Sequence, residues 1–161
     1  MVNAFGKRSL ERLEQVHPDL VRICHGAIKI SEIDFAVIEG VRTVERQIEL
    51  YAQGRTTAQM RAAGIYDHEG KPGEGIVTRT LNSEHFIRPA TGFGHAVDLA
   101  PFIAGKINWD DNNWRKWKYF PLIAKAMKIA AKEADVPLEW GGDWVTLRDG
   151  PHFQLPKGYM A

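Results

Sequence analysis

Between Ser83 and Pro101 the chain carries two histidines, His85 and His95, and an aspartate, Asp98. Far downstream stand Asp149 and His152, with Gly150-Pro151 between them. Neutral imidazole and ionised carboxylate are side chains that bind divalent zinc at pH 7. A catalytic zinc takes three protein ligands, leaves a fourth position to water and needs a general base nearby. His85, Asp98 and His152 form a candidate ligand set, and Asp149 is a candidate base. Zinc lowers the pKa of its bound water towards about 7. A carboxylate beside the ion can take the water's proton and pass it to a leaving amine. Arg42 can stabilise the oxyanion that forms when hydroxide attacks a peptide carbonyl. Glu139 is the alternative base, farther along the chain from any ligand.

Several elements must bring these groups together. His95 to Ala100 reads as a strand stopped by Pro101, and residues three apart on a strand face opposite sides. His95 and Asp98 are therefore poorly placed to share one ion. His85 precedes the loop from Arg88 to Gly92 and can fold back to the Asp98 face. It is the preferred ligand, with His95 as its competitor or as a residue that supports the site or faces substrate. Pro151 to Leu155 reads as a final short strand, with Phe153 and Leu155 towards the core and His152 and Gln154 towards the cleft. The Gly150-Pro151 turn allows Asp149 to reach the same cleft.

Phe35 to Val41 reads as a buried strand, and Thr43 is a good N-cap for a helix from Val44 to about Gln53, closed by Gly54. Arg42 then stands between strand and helix, with Gln47 on the helix beyond it. Upstream, Ser9 to Val16 and Pro18 to Ile30 show helical spacing of apolar residues. His17 and His25 read as surface or core-edge histidines. The segment from about 54 to 82 reads as a flap or insertion. It holds a short helix at Thr57 to Ala63, a turn-rich loop at Asp67 to Gly75 and a short strand at Ile76 to Thr80. Asp67-His68-Glu69 does not match the spacing of a calcium-binding helix–loop–helix. Asp110 to Asn113 offers caps for a helical pattern reaching Ala134, which Pro121 either kinks or restarts. Trp114 and Trp117 read as part of a core-facing aromatic stripe with solvated lysines, and Leu138 to Trp144 leads through a loop to Asp149.

The whole chain sets bounds. Its 161 residues suit one domain with an ordinary core. A hydrophobic content of 44% and a charged content of 25% place it among globular proteins. The formal net charge of +1 gives no electrostatic case for nucleic acid or an acidic membrane. The single Cys24 excludes an internal disulfide and a cysteine-rich zinc site, and its apolar helical setting reads as a buried, inert thiol. The N-terminus lacks the apolar core of a signal peptide, and no apolar run is long enough to span a membrane.

Ser83-x-His85, Gly94-x-Ala96-x-Asp98 and Asp149-x-x-His152 together resemble the zinc-binding pattern of the D-Ala-D-Ala carboxypeptidase/VanY-type peptidases. The chain is most similar to their phage endolysin branch, the L-alanyl-D-glutamate peptidases. The likeness extends to Phe5-Gly6-Lys7-Arg8-Ser9, Glu39-Gly40-Val41-Arg42-Thr43 and Trp140-Gly141-Gly142-Asp143-Trp144, over nearly the full length. It implies an α+β fold of the hedgehog-like zinc peptidase type, a small antiparallel sheet flanked by helices. It also implies a single catalytic domain over 1–161 and one zinc per chain. By motif position it assigns His85, Asp98 and His152 to the metal, Asp149 to base catalysis and Arg42 to transition-state stabilisation. Ser83, His95 and Gln47 become supporting or substrate-binding residues. The interval from His85 to Asp98, thirteen positions, exceeds the family's usual one, the excess lying in Phe86 to Phe93.

The activity so implied is cleavage between L-Ala and D-Glu of peptidoglycan stem peptides during host lysis. The same chemistry on a terminal D-Ala-D-Ala is the nearer alternative, and a non-catalytic zinc-stabilised wall-binding module the more distant one. The expected setting is a monomer held in the cytoplasm of a Gram-negative host. It would act on the wall once a separate holin-type protein permeabilises the inner membrane, with no nucleic acid and no stable membrane contact.

Overall fold

The computed structural model describes residues 2–160 and has an α+β fold. Its antiparallel sheet comprises β1 (Phe35–Glu39), β4 (Ala96–Ile103), β7 (His152–Gln154) and β6 (Glu139–Trp140), in that spatial order. A short β5 (Lys106–Ile107) turns back on the far end of β4. A separate hairpin pairs β2 (Ile87–Arg88) with β3 (Phe93–Gly94). The helices are α1 (Lys7–Arg12), α2 (Pro18–Ile30), α3 (Val44–Ala52), α4 (Thr57–Ala62) and α5 (Phe120–Glu133).

The two sides of the sheet follow from alternation. Phe35 and Val37 of β1, Val97 and Leu99 of β4, Phe153 of β7 and the adjoining Leu155 all lie in one hydrophobic core. The core is completed by α2, through Leu20, Ile23, Cys24, Ala27 and Ile28, and by α5, through Ile123, Met127 and Ala130. These recur at helical spacing, so one stripe of each helix faces the sheet. Burying each large side chain contributes about 1.5–3 kcal/mol. Pro18 sits in the first turn of α2, where its missing N–H costs nothing. The residues between the core positions, Asp98, His152 and Gln154 among them, face the opposite side and line a cleft.

Register then sets who meets whom. Asp98 of β4 lies opposite His152 of β7 on one side and Glu39 of β1 on the other. A bulge between Val37 and Glu39 makes this pairing possible, since it shifts Glu39 by one position relative to the rest of β1. Gln154 lies opposite Ala96 and Glu139.

Several expectations need correction. α1 occupies Lys7–Arg12 rather than Ser9 to Val16, because Gln15 adopts a left-handed φ of 59° and Val16 leaves to form a bridge with Gly94. β1 ends at Glu39, before Gly40 and Val41. β4 does not stop at Pro101. The N–H of Leu99 donates to Pro151, and the ring nitrogen of Pro101, two residues on, faces the same way but past the end of β7. No bond to β7 is lost there; the Pro101 carbonyl accepts from the Asn108 N–H at 2.9 Å, while the ring nitrogen has no N–H to return.

Ile76 to Thr80 forms no strand. Among the described residues no strand pairs with it, and side chains take two of its carbonyls instead: Gln47 Nε2 donates to Thr80 O at 2.7 Å and Arg55 Nη1 to Thr78 O at 2.9 Å. The helical pattern from 110 to 134 is broken. Trp114–Lys116 is a 3₁₀ turn, and α5 begins afresh at Phe120 with Pro121 in its first turn. The Asp110 carboxylate caps it by accepting the N–H groups of Lys118, Tyr119 and Phe120. Trp114 is consequently not part of a core-facing stripe. It is exposed, with the Arg148 guanidinium 3.8 Å from its ring centre.

The segment from about 54 to 82 has its own small cluster of Ala52, Met60 and Ile65 beneath α3 and α4. Among the described residues, no helix is long and apolar enough to cross a membrane.

Candidate active site and metal centre

The polar face of the sheet forms the floor of a cleft of about 560 Å³, lined by Arg42, His85, Asp98, Glu139, Asp149 and His152 among others. His85 is buried in the segment before β2, with Nδ1 2.8 Å from the Gly40 carbonyl. A carbonyl only accepts, so Nδ1 carries the proton and Nε2 presents its lone pair to the cleft. That Nε2 lies 3.4 Å from Asp98 Oδ1.

His152 reaches the same oxygen from β7, with Nδ1 3.4 Å away. Its other nitrogen, Nε2, lies 2.7 Å from Gln154 Oε1, and Gln154 Nε2 donates to Glu139 Oε2 at 3.1 Å. The Glu139 carboxylate orients the amide of Gln154, whose oxygen then fixes the proton of His152 on Nε2. Nδ1 is left with a lone pair facing Asp98.

One ligand atom from each of His85, Asp98 and His152 lies within 4.8 Å of the others. Two donors about 2.0–2.1 Å from a zinc ion at the tetrahedral angle are about 3.3–3.4 Å apart, which matches both separations from Asp98 Oδ1. His85 Nε2 and Asp98 Oδ1 are also buried without a hydrogen-bond partner. A buried polar atom left in that state costs about 1–3 kcal/mol. Two such atoms facing each other, with both histidine tautomers pinned from behind, fit a tetrahedral N/O-ligated cation.

Electrostatics separate the two aspartates. Burial raises the Asp98 carboxyl, but the neighbouring His85 and His152 outweigh it and hold the group far below the ordinary range. Asp149 is pushed up to about 6 by burial and by the negative charge of Asp98, against the opposing pull of His152, His85 and Arg42. Burial lowers the His152 imidazole, yet its bond to Asp98 and the charges of Asp98 and Asp149 carry it above its usual value. One carboxylate is thus held ionised while the other is poised to exchange a proton near neutral pH.

The turn at Gly150-Pro151 brings Asp149 and His152 into one cleft, with the His152 N–H on the Asp149 carbonyl at 3.2 Å. Gly141 passes so close behind Asp149 that a Cβ there would strike its carbonyl oxygen.

Arg42 sits at the end of β1, where its guanidinium is held on three sides. Nε and Nη2 donate to Glu39 at 3.0 and 2.6 Å, Nη1 donates to Gln47 Oε1 at 2.8 Å, and Nη2 lies 3.4 Å from Asp98 Oδ2. Gln47 is buried on α3 and ties Arg42 to the 54–82 segment through Thr80. Ser83 is buried as well, and its hydroxyl accepts the His85 N–H at 3.1 Å.

His95 is not in this cleft. Its Nε2 lies 2.7 Å from Thr91 Oγ1, and its ring packs edge-on against His17 and Tyr159. Three residues around the site were not assigned roles from sequence: Glu39, the Gly40 carbonyl and Gln154. Strand alternation did place Gln154 at the cleft; the partnership with His152 is the added finding.

An α+β fold with a His-Asp-His cluster and a second, proton-exchanging carboxyl in one cleft is the arrangement of a metal-dependent hydrolase. Comparison with known proteins narrows that class. Residues 1–69 match the family model for phage L-alanyl-D-glutamate peptidase, and residues 77–155 match that for D-alanyl-D-alanine carboxypeptidase. The L-alanyl-D-glutamate peptidase of Escherichia phage T5 is 29% identical over 154 residues, 96% of this chain and 90% of that protein. The peptidoglycan L-alanyl-D-glutamate endopeptidase CwlK of Bacillus subtilis is 32% identical over 130 residues, 76% of this chain and 61% of that protein. The crystal structure of the Serratia marcescens L-Ala D-Glu endopeptidase ChiX superposes with a TM-score of 0.67 at 37% identity, covering 96% of this chain and 91% of that one. The chain belongs to the L-alanyl-D-glutamate peptidase family, with its D-alanyl-D-alanine carboxypeptidase-type metallopeptidase domain.

Proposed function

We propose that the protein is a zinc-dependent peptidoglycan endopeptidase that cuts the bond between L-Ala and D-Glu of the stem peptide, and that it serves as a phage endolysin. The observation that carries the chemistry is the pair of buried, unpartnered atoms, His85 Nε2 and Asp98 Oδ1, beside a carboxyl raised to about 6. The names of the relatives support the choice of bond. His85, Asp98 and His152 would hold one zinc, which when bound supplies an acidified water and a Lewis acid for the peptide carbonyl.

The chain's own residues do the rest. Asp149 accepts a proton from the attacking water as its oxygen bonds to the L-Ala carbonyl carbon. The same carboxyl returns that proton to the D-Glu nitrogen as the carbon–nitrogen bond breaks. Arg42, immobilised by Glu39 and Gln47, offers fixed positive charge to the oxyanion. Glu139 serves as the outer support of His152 through Gln154 rather than as the base. Ser83 steadies the His85 backbone. One chain supplies every group, so a monomer with a single catalytic domain suffices. In lysis it would meet its substrate once the inner membrane is permeabilised.

The carboxypeptidase family model over residues 77–155 favours a second reading, removal of a terminal D-alanine. Digestion of Gram-negative peptidoglycan by the zinc-loaded protein, with and without chelator, distinguishes them by mass spectrometry. The expected products are stem peptides with a free D-Glu amino terminus, released only when zinc is present. Free D-alanine would transfer the protein to the carboxypeptidase reading, and no cleavage at all would defeat both.

A further inference from the structure

Where the β2–β3 hairpin meets the C-terminal segment, a second cavity of about 260 Å³ opens beside the catalytic cleft. Three residues line both spaces: Asn82, Glu84 and Lys157. Their commitments differ. Glu84 is engaged by Arg88, whose Nη2 lies 2.6 Å from Oε1. Asn82 Oδ1 accepts from Arg88 Nη1 at 3.2 Å, which leaves its amide N–H group without a partner among the described residues. Lys157 is exposed and has neither an ion pair nor a side-chain hydrogen bond among those residues.

The other cation of the cleft, Arg42, is held in place by Glu39, Gln47 and Asp98, and in the reading above its remaining charge serves the oxyanion. Five carboxylates line the same cleft: Glu39, Glu84, Asp98, Glu139 and Asp149. Donors still open to an anionic group of a substrate therefore stand at the border of the two spaces, at Lys157 and the Asn82 amide.

The substrate class has such a group. In a stem peptide, D-glutamate is joined onward through its side-chain carboxyl, so the carbon bearing the scissile nitrogen also bears a free α-carboxylate. We propose that Lys157 Nζ and the Asn82 amide form an anion subsite that takes this α-carboxylate, on the leaving-amine side of the cut. The subsite rests on the endopeptidase reading above and adds a preference to it. Stem peptides whose D-glutamate α-carboxyl is amidated have no charge to offer Lys157 and are turned over less well.

The test compares two soluble muramyl peptides, one with the free α-carboxylate and one with the α-amide, each presented to zinc-loaded wild type, Lys157→Met and Lys157→Arg. Wild type should favour the carboxylate by about twofold to fivefold in kcat/KM, mainly through KM, as for one partly exposed ion pair. Lys157→Met should lose most of that preference by its effect on the carboxylate substrate, and Lys157→Arg should keep it. The wild-type preference should also shrink as salt is raised. An acid-to-amide ratio that is the same in wild type and Lys157→Met would overturn the subsite while leaving the endopeptidase intact. Failure of wild type to cut either peptide would remove the endopeptidase reading, and the subsite with it.

Discussion

Two groups of buried histidines lie near the N-terminal end of β4, and they are built on opposite terms. His85 and His152 each have one ring nitrogen pinned from behind, by Gly40 and Gln154, and the other turned towards Asp98 with no hydrogen satisfying the pair. His95 instead has Thr91 Oγ1 at 2.7 Å and packs against the rings of His17 and Tyr159. Burial together with the nearby His17 lowers the His95 imidazole, which favours its neutral form. Burial alone therefore does not distinguish a metal-binding histidine from a packing one. The distinction lies in whether a ring nitrogen is turned on a buried carboxylate oxygen that has no hydrogen-bond partner.

The largest effect should come from the carboxyl beside the first cluster. Asp149→Asn should lower kcat by about 10²–10⁴-fold with zinc content unchanged, measured on a stem-peptide substrate. In chelator the same variant should be more stable than wild type by about 1–2 kcal/mol at pH 8, by urea unfolding. The sign follows from a carboxyl pKa raised on folding, from 3.8 to about 6. The destabilisation due to Asp149 is absent below pH 4 and grows as pH rises through about 6, so the gain should vanish in acid. Full activity in Asp149→Asn would transfer the base role to Glu139.

A smaller effect should follow from releasing His152. Gln154→Leu removes the acceptor that fixes its tautomer and should weaken zinc binding by about 10–100-fold in a competition titration. An unchanged affinity would mean that Gln154 is packing rather than support. Smallest of all, Thr91→Val in the second cluster should cost about 1 kcal/mol of stability and leave zinc affinity where it was. A loss of zinc there would erase the contrast between the two clusters.

The parts of this site that were legible in the sequence are those governed by short periodicities. Alternation along β7 placed His152 and Gln154 together, and the three-residue interval from His95 to Asp98 put that histidine on the other face of β4 from Asp98. The strand-to-helix turn located Arg42, and Thr43 caps α3 as expected, with its hydroxyl on the Arg46 N–H at 3.1 Å. What escaped depends on partners remote in sequence. The pairing of Glu39 with Asp98 rests on a bulge, and β2, β3 and β6 are two-residue strands that no pattern announces. Ile76 to Thr80 has the composition of a strand, but two of its carbonyls are taken by Gln47 and Arg55, so propensity lost to side-chain hydrogen bonds. Pro101 looked like a stop because the end of β7, where its ring nitrogen would otherwise have lost a bond, is set 50 residues away in sequence.

The most direct test of the central claim is the zinc content of purified His85→Ala beside that of His95→Ala. About one zinc per chain in wild type and in His95→Ala, with near-complete loss in His85→Ala, is the result this account predicts. Zinc kept by His85→Ala and lost by His95→Ala would contradict it, and would place the ion on the other side of β4.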